Sequence, residues 1–472
     1  MSLPATSLRL RRGPLGLLAI CLGALVLRLS PFFRHDGPLG WPIDYDEGVY
    51  TAATLLLTRG LLPYRDFFFA HPPGVIVLLA PVIGFFAPAT AMSVARIAIA
   101  CCSAVTVYAL GRTVARQVGW PSALFAAALY ASWPHAVVAE RAVMLEPLLN
   151  LFGIAAAWSW LGQKDESRVG RTGVLLGLML TVKWWAAAWL VAALLTAPNR
   201  ARALALLATT LATFGVVALP FVLFAPAAFF EQTLLFHLVR PPDGDLETGV
   251  RLRELFLNDA PRGLIALAAA ALAARQWRER PSRFALTVCV LLLAAFLLAA
   301  AFWNSYVAHL ALPLCLASGL GLGRTLPHRG VTGWLIAALS LACVVPGLQH
   351  VLSLRHLRDP AQQQRAKALE RHAKPACSFE VADVLLANQL PANKLIDSYG
   401  AMLFEATKGG RRYAHASLAF ADDEAQRAAQ IALFPCEIVV LGPRGDDQFS
   451  ASLHWQQSHL EPLGGGVFRK TK

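Results

Sequence analysis

Long apolar runs, alternating with short clusters of Lys and Arg, constrain this chain more than any other feature of its sequence. Such runs can lie in lipid only as helices or closed barrels, because every backbone N–H and C=O must find a partner away from water. Runs this long and this uniformly apolar read as helices. The composition agrees: 56% of the 472 residues are hydrophobic and 15% are charged, against roughly 25% charged in a soluble protein. A net charge of +13 does not point to nucleic acid here, since the basic residues fall between apolar runs in the pattern of cytoplasmic loops. The run at 15–29 follows Arg9, Arg11 and Arg12 with no small-residue cleavage site after it, and reads as a retained first helix.

Taking basic loops as cytoplasmic gives about eleven transmembrane helices, with the N-terminus inside and the C-terminus outside. The first helix leads to an outer loop over 30–95. In that loop, the apolar run after His71-Pro72-Pro73-Gly74 reads as a juxtamembrane or re-entrant helix, because a full span would put Arg112 and Arg116 outside. Arg96 then starts the second helix at the outer side. Helices at 120–133 and 147–161 flank a short outer loop with His135, Glu140, Arg141 and Glu146, and the inner loop from Lys164 follows. Residues 172–198 have both ends inside, so they form a hairpin of two short helices with its apex near Lys183-Trp184-Trp185.

Further helices are expected at 203–224, 263–274, up to 301, through His309 and Pro313 to 323, and at 331–348. The loop at 225–262 is charged and carries Arg240-Pro241-Pro242-Asp243-Gly244-Asp245. The membrane part thus covers 1–349. Residues 350–472 have the composition of a soluble domain. Leu395-Ile396-Asp397-Ser398-Tyr399 and Glu437-Ile438-Val439-Val440-Leu441 read as strands and 422–432 as a helix, which predicts a small α/β domain on the outer face. Of eight cysteines, Cys377 and Cys436 lie in this part, where pairing and two free thiols are both open, and no spacing resembles a zinc site.

The chemistry concentrates at Asp44-Tyr45-Asp46-Glu47-Gly48-Val49-Tyr50, in the first outer loop. A second outer loop adds Glu140 and Glu146. Clustered carboxylates near a low-dielectric surface suit a general base that takes a proton from an attacking hydroxyl or amine. Solvated loop acids are the plainer alternative for any one of them. Lys183, between apolar runs, suits the phosphate of a lipid carrier, and a snorkelling lysine is its alternative. Arg141 and Arg240 are weaker candidates of the same kind, while Arg28 and Arg96 read as snorkelling arginines. His71 suits phosphate, a metal or a purely structural role. A divalent cation is therefore an open expectation.

In order and spacing, Asp46-Glu47 with Tyr50, then Tyr64 and His71-Pro72-Pro73, then Arg96, then Arg141 with Glu146, then Gly173 through Lys183, resemble glycosyltransferase family 39 of the GT-C superfamily. That superfamily includes the protein mannosyltransferases and the aminoarabinose transferases of lipid A. The resemblance covers residues 15–350 and, more loosely, the C-terminal part. It implies many transmembrane helices, juxtamembrane helices in the first outer loop, a sugar donor on polyprenyl phosphate and an inverting mechanism. Asp46 matches the aspartate of the family's Asp-Glu pair, the base or its close partner, and Lys183 matches the lysine at the short hairpin. Glu146 stands where the family more often has Asp, and His71 stands where it has Lys.

The expected catalytic residues are thus Asp46, Glu47 and Glu146. Substrate contacts are expected from Asp44, Tyr50, His71, Glu140, Arg141, Lys183 and Arg240, with a lipid, glycan or protein as acceptor. A transporter or lipid flippase is the competing class, but it tends to show internal repeats and paired broken helices, which this sequence lacks. The bias towards Ala, Leu and Arg fits a bacterium with a GC-rich genome, which would make the membrane the inner one and the outer compartment the periplasm.

Overall fold

The computed structural model describes residues 5–33, 37–162, 167–244, 247–258, 262–325, 331–354, 357, 359–372, 375–392, 396–433, 436–444 and 459–471. Lys164, Asp245 and Leu395, named above, lie outside them. Helix α1 (Ala5–Leu29) is followed by α2 (Tyr45–Leu57), α3 (Gly74–Ile83) and α4 (Pro88–Val118). Next come α5 (Trp120–Ala131), α6 (Pro134–Ala139), α7 (Glu146–Leu161) and α8 (Ser167–Val182). A 3-10 turn at Trp184–Ala186 leads into α9 (Ala187–Leu195), and α10 (Arg200–Phe224) follows.

The charged loop expected at 225–262 contains short helices α11 (Pro226–Phe230), α12 (Phe236–Val239) and α13 (Thr248–Leu252), with π-helical turns after α11 and α13. Helices α14 (Arg262–Ala274), α15 (Arg280–Leu298), α16 (Ser305–Thr325) and α17 (Val331–Ser353) complete the apolar part. The small strands β1 (Asp243–Gly244) and β2 (Ala301–Phe302) pair in parallel and tie this loop to the start of α16.

The chain is a multi-pass membrane protein of mostly helical architecture. Among the described residues, five helices are long and apolar enough to cross a membrane, or up to six if one bent pair counts as a single span. The expected eleven are not reached by that measure, because α5, α7, α8, α9 and α14 have only 9 to 16 residues, fewer than the roughly 20 a span needs. Helix α3 has ten residues, too few to span, and Gly74 at its start packs directly on Thr181 of α8. Helix α16 is the hub of the bundle, packed by α4, α5, α7, α14 and α15, with 94% of its apolar window buried. Arg96 does not start α4 but sits inside it, since the helix begins at Pro88.

The C-terminal part holds α18 (Pro360–Glu370), α19 (Val381–Leu386), α20 (Ser398–Thr407), α21 (Ala416–Phe420) and α22 (Asp423–Leu433). Strands β3 (Ala376–Ser378), β4 (Ile438–Val440), β5 (Leu460–Gly464) and β6 (Val467–Lys470) form a sheet of order β3-β4-β6-β5. β3 and β4 run parallel, and the other pairs are antiparallel. One expected strand is overturned: Ser398 and Tyr399 begin helix α20, and Asp397 caps it by accepting the Gly400 N–H at 2.7 Å. An Asp cap supplies the helix start with its missing acceptor, which outweighs the short β-like pattern.

Cys377 and Cys436 form a disulfide across 59 residues of sequence. Breaking it by reduction or by Cys377→Ser is expected to cost about 2–5 kcal/mol of C-terminal stability. Limited proteolysis with and without reductant measures this, and equal protection would remove the disulfide's structural role.

The C-terminal part is seated on α2. A Cβ at Gly48 would lie 2.9 Å from the Ala382 backbone nitrogen of α19, so only glycine permits that approach. Gln362 of α18 hydrogen-bonds both the N–H and the C=O of Ile43, at 3.1 and 3.2 Å.

Candidate active site

Helix α2 begins where Asp44 accepts the Asp46 N–H at 2.9 Å. This places Asp46 and Glu47 in the first turn, where unpaired N–H groups and the helix dipole favour carboxylates. Consecutive helical residues point about 100° apart, and the two acids part company accordingly. Glu47 is fully buried and makes a two-pronged ion pair with Arg96, with both contacts at 2.6 Å. It also accepts the Val143 N–H at 3.2 Å. The remaining Arg96 donors reach the carbonyls of Pro38, Trp41 and Pro42. Arg96 is therefore a buried clamp across the first outer loop and does not snorkel.

Arg28 does not snorkel either. It is fully buried and paired with Glu140, which also accepts from Ser103 and Tyr130. The network continues from Tyr130 to Asn150 at 2.9 Å and on to His309 at 2.7 Å. Arg141 is buried as well, stacked 4.9 Å from the Trp41 ring centroid and bonded to the Leu27 carbonyl at 2.9 Å. Burial, with Arg28 nearby, lowers its guanidinium to about 9. The segment expected as a short outer loop is thus packed into the protein. Glu47 ties α2 to α4, while Glu140 and Arg141 tie the end of α6 to α1, and none of the three lines an open surface.

Asp46 faces a different set of groups. It is half-buried and Asp44 is exposed, and the Tyr50 hydroxyl lies 3.5 Å from Asp46 Oδ2. Across from α2, the chain breaks between α8 and α9 at Lys183, whose backbone is extended. The Lys183 ammonium donates to Glu146 at 2.9 Å and sits 4.7 Å from the centroid of the Tyr306 ring. Arg240, at the end of α12, stacks 5.6 Å from the Phe236 ring centroid and lies 3.5 Å from Asp243. The rings of His71 and His237 stack with centroids 5.4 Å apart, and a His237 ring nitrogen lies 2.7 Å from the Ala70 carbonyl. Tyr64 holds the His71 carbonyl with its hydroxyl at 2.7 Å, from an unusual positive φ of 68°.

The C-terminal part closes the other side. Tyr45 donates to Asp397 at 3.1 Å, Tyr399 donates to Asp243, and Arg444 lies 3.8 Å over the Tyr45 ring. Burial raises the Asp46 carboxyl, and the charges of Arg444, Lys183 and Arg240 oppose that rise while Glu146 adds to it. Burial, then Asp46, pushes Asp44 up to about 7. Solvent still reaches the Asp44 side chain. Two carboxyls in one cap repel each other's charge, so each makes ionisation of the other harder. Burial raises Asp397 to about 6, with Asp46 adding to the rise. Burial and then neighbouring cations keep His71 well below its usual value, while burial followed by Arg240 brings His237 to about 4, so both are neutral at pH 7.

Of the residues expected from sequence, Asp44, Asp46, Tyr50, His71, Glu146, Lys183 and Arg240 come together here. Tyr45, His237, Asp243, Tyr306, Asp397, Tyr399 and Arg444 join them without having been singled out for it. Asp243 carried a signal, because it lies in the charged outer loop beside Arg240. Arg444 carried a weaker one, in a Gly442-Pro443-Arg444 turn after a strand. Among the described residues, no group of three or more His, Cys, Asp or Glu is arranged to hold a metal ion.

No protein-family model matches the sequence, and no curated protein sequence matches it. Solved structures do match. ArnT from Cupriavidus metallidurans, solved bound to undecaprenyl phosphate, is 15% identical with a TM-score of 0.63, over 95% of this chain and 96% of that one. The Archaeoglobus fulgidus oligosaccharyltransferase, solved with zinc and sulfate, is 11% identical with a TM-score of 0.59, over 89% of this chain and 67% of that one. The archaeal oligosaccharyltransferase AglB from the same organism, solved with an inhibitory peptide and a dolichol-phosphate, has a TM-score of 0.56 at 11% identity, over 90% of this chain and 69% of that one.

Proposed function

We propose that this chain, which has the GT-C glycosyltransferase fold, is a membrane glycosyltransferase. It moves a sugar from a polyprenyl-phosphate donor to a lipid, glycan or protein acceptor. The observation that carries the reading is the setting of Asp46, a half-buried carboxylate acted on by Lys183, Arg240 and Arg444. Similar folds solved with undecaprenyl phosphate and dolichol-phosphate support the lipid carrier. In this reading residues 1–349 hold the catalytic part and 350–472 an outer domain, in the inner membrane of a bacterium with the site facing the periplasm.

The acceptor hydroxyl attacks the anomeric carbon in line with the bond to phosphate. Asp46 takes its proton, and the electron pair of the breaking bond leaves on the phosphate oxygen, which inverts the centre. Lys183 and Arg240 offset the charge that develops on the leaving polyprenyl phosphate. Neutral His71 can donate one hydrogen bond to the same group, whereas the single N–H of neutral His237 is taken by the Ala70 carbonyl. Glu146 holds the Lys183 ammonium in place, while Glu47 holds the helix that presents Asp46.

The test is turnover by purified protein in detergent, with a panel of polyprenyl-phosphate sugars and a crude membrane acceptor fraction, following release of polyprenyl phosphate. Release is expected from one donor. Silence with every donor would favour a transporter or flippase. A second expectation concerns Lys183→Ala, which removes a charged hydrogen-bond donor of about 1.5–3 kcal/mol. It should raise the apparent KM for the lipid donor roughly ten- to a hundredfold. An unchanged KM with normal kcat would remove Lys183 from the site.

A further inference from the structure

Arg444 belongs to the C-terminal part, yet its guanidinium is inserted against the catalytic helix. It lies 3.8 Å over the ring centroid of Tyr45, the first residue of α2, and 5.0 Å from that of Tyr399. Glu380 anchors it twice, accepting the Arg444 backbone N–H at 3.1 Å and lying 4.0 Å from Nε. The aromatic partners are themselves fixed. The Tyr45 hydroxyl meets Asp397 and Ser398, each at 3.1 Å, and accepts the Tyr399 N–H at 3.0 Å. Tyr399 in turn donates to Asp243. A planar cation stacked between two aromatic rings, with the Glu380 carboxylate no nearer than 4.0 Å, is held in position beside the acids of the α2 cap.

We propose that Arg444 is a positioning residue of the transferase site, a cation that the C-terminal part lends to α2 to keep Asp46 ionised as the base. The inference rests on the reading of Asp46 given above. Asp46 faces Asp44 on its own helix cap, Lys183 from the hairpin apex, Glu146 from α7, Arg240 from α12, Asp397 and Arg444 from the C-terminal part, and the Tyr50 hydroxyl. Glu47, one residue on, is neutralised by Arg96. Among the cations, the charge of Arg444 opposes the upward pull of burial on Asp46 most strongly. The same charge also acts on Asp44, Asp397 and Asp243. Asp46 must be deprotonated to act, so activity rises with pH through its pKa. Removing a cation raises that pKa and moves the acid limb to higher pH.

The experiment is the pH profile of kcat/KM for lipid-donor turnover in the full-length protein, comparing wild type, Arg444→Gln and Arg444→Lys. The Gln variant should move the acid limb up by about one pH unit and lower turnover at neutral pH severalfold, while the Lys variant keeps the limb in place. A limb that stays put in an active Gln variant, or moves equally in both variants, would overturn the proposal. Should Arg444→Gln fail to fold, Arg444→Cys treated with a cationic aminoethylating reagent or a neutral hydroxyethylating one compares charge at nearly equal size within one folded protein. Only the cationic adduct should restore the wild-type limb, and equal profiles for both adducts would overturn the proposal. No turnover by wild type would instead overturn the transferase reading itself, and the role of Arg444 with it.

Discussion

Asp46→Asn is expected to lower sugar transfer by a factor of about a hundred to ten thousand, the range a positioned general base supplies. Folding should survive, because the cap of α2 is made by Asp44 accepting the Asp46 backbone N–H and does not use the Asp46 side chain. Its one hydrogen bond among those described above, from Tyr50 at 3.5 Å, is long. Wild type and variant should therefore unfold within a few degrees of each other in the same detergent. The wild-type acid limb should also lie above that of an ordinary aspartate, since burial raises Asp46. Turnover by the Asn variant within threefold of wild type would remove Asp46 from the chemistry.

Glu47→Ala, one residue along, is expected to behave in the opposite way. It removes the carboxylate from a fully buried pair and leaves the Arg96 guanidinium without its countercharge. Breaking such a pair on one side costs about 3–5 kcal/mol, enough to deplete the folded protein. The double variant Glu47→Ala/Arg96→Met should recover much of that loss, because an apolar pair no longer buries a lone charge. Thermal unfolding of the single and double variants in detergent measures both effects. A folded Glu47→Ala protein of wild-type stability whose activity alone is lost would return Glu47 to the catalytic group.

The contrast between these neighbours marks how far the sequence can be read. An acidic cluster at the edge of a membrane protein was visible as a stretch of letters. Which acid faces reactants depends on the direction of each side chain around α2 and on what α4 brings opposite it. Arg28 and Arg96 misled for the same reason. An arginine near the end of an apolar run looks like a snorkelling one until its carboxylate, Glu140 or Glu47, appears 112 or 49 residues away in sequence. Likewise Ser398 and Tyr399 looked strand-like until the Asp397 cap turned them into the start of α20.

Several features were legible because they depend on local physics. Apolar runs must become helices in lipid, and the run after His71 does form a helix, whose ten residues are fewer than a span needs. A lysine stranded between two apolar runs marks a break in the helix, and the chain does turn at Lys183. Cys377 and Cys436 could be named as the cysteines of the polar part, though their pairing emerged only when β3 and β4 came side by side.

By itself, then, the sequence determined a helical membrane protein, the location of its acid cluster and the lysine opposite, since hydropathy and charge act residue by residue. Only the tertiary structure decided that Glu47 and Glu140 are neutralised by arginines, that Asp46 keeps an accessible face, and that Arg444 reaches it from about 400 residues away in sequence. Those outcomes depend on which charges meet in a low-dielectric interior, where interaction falls with distance in space and is blind to distance along the chain.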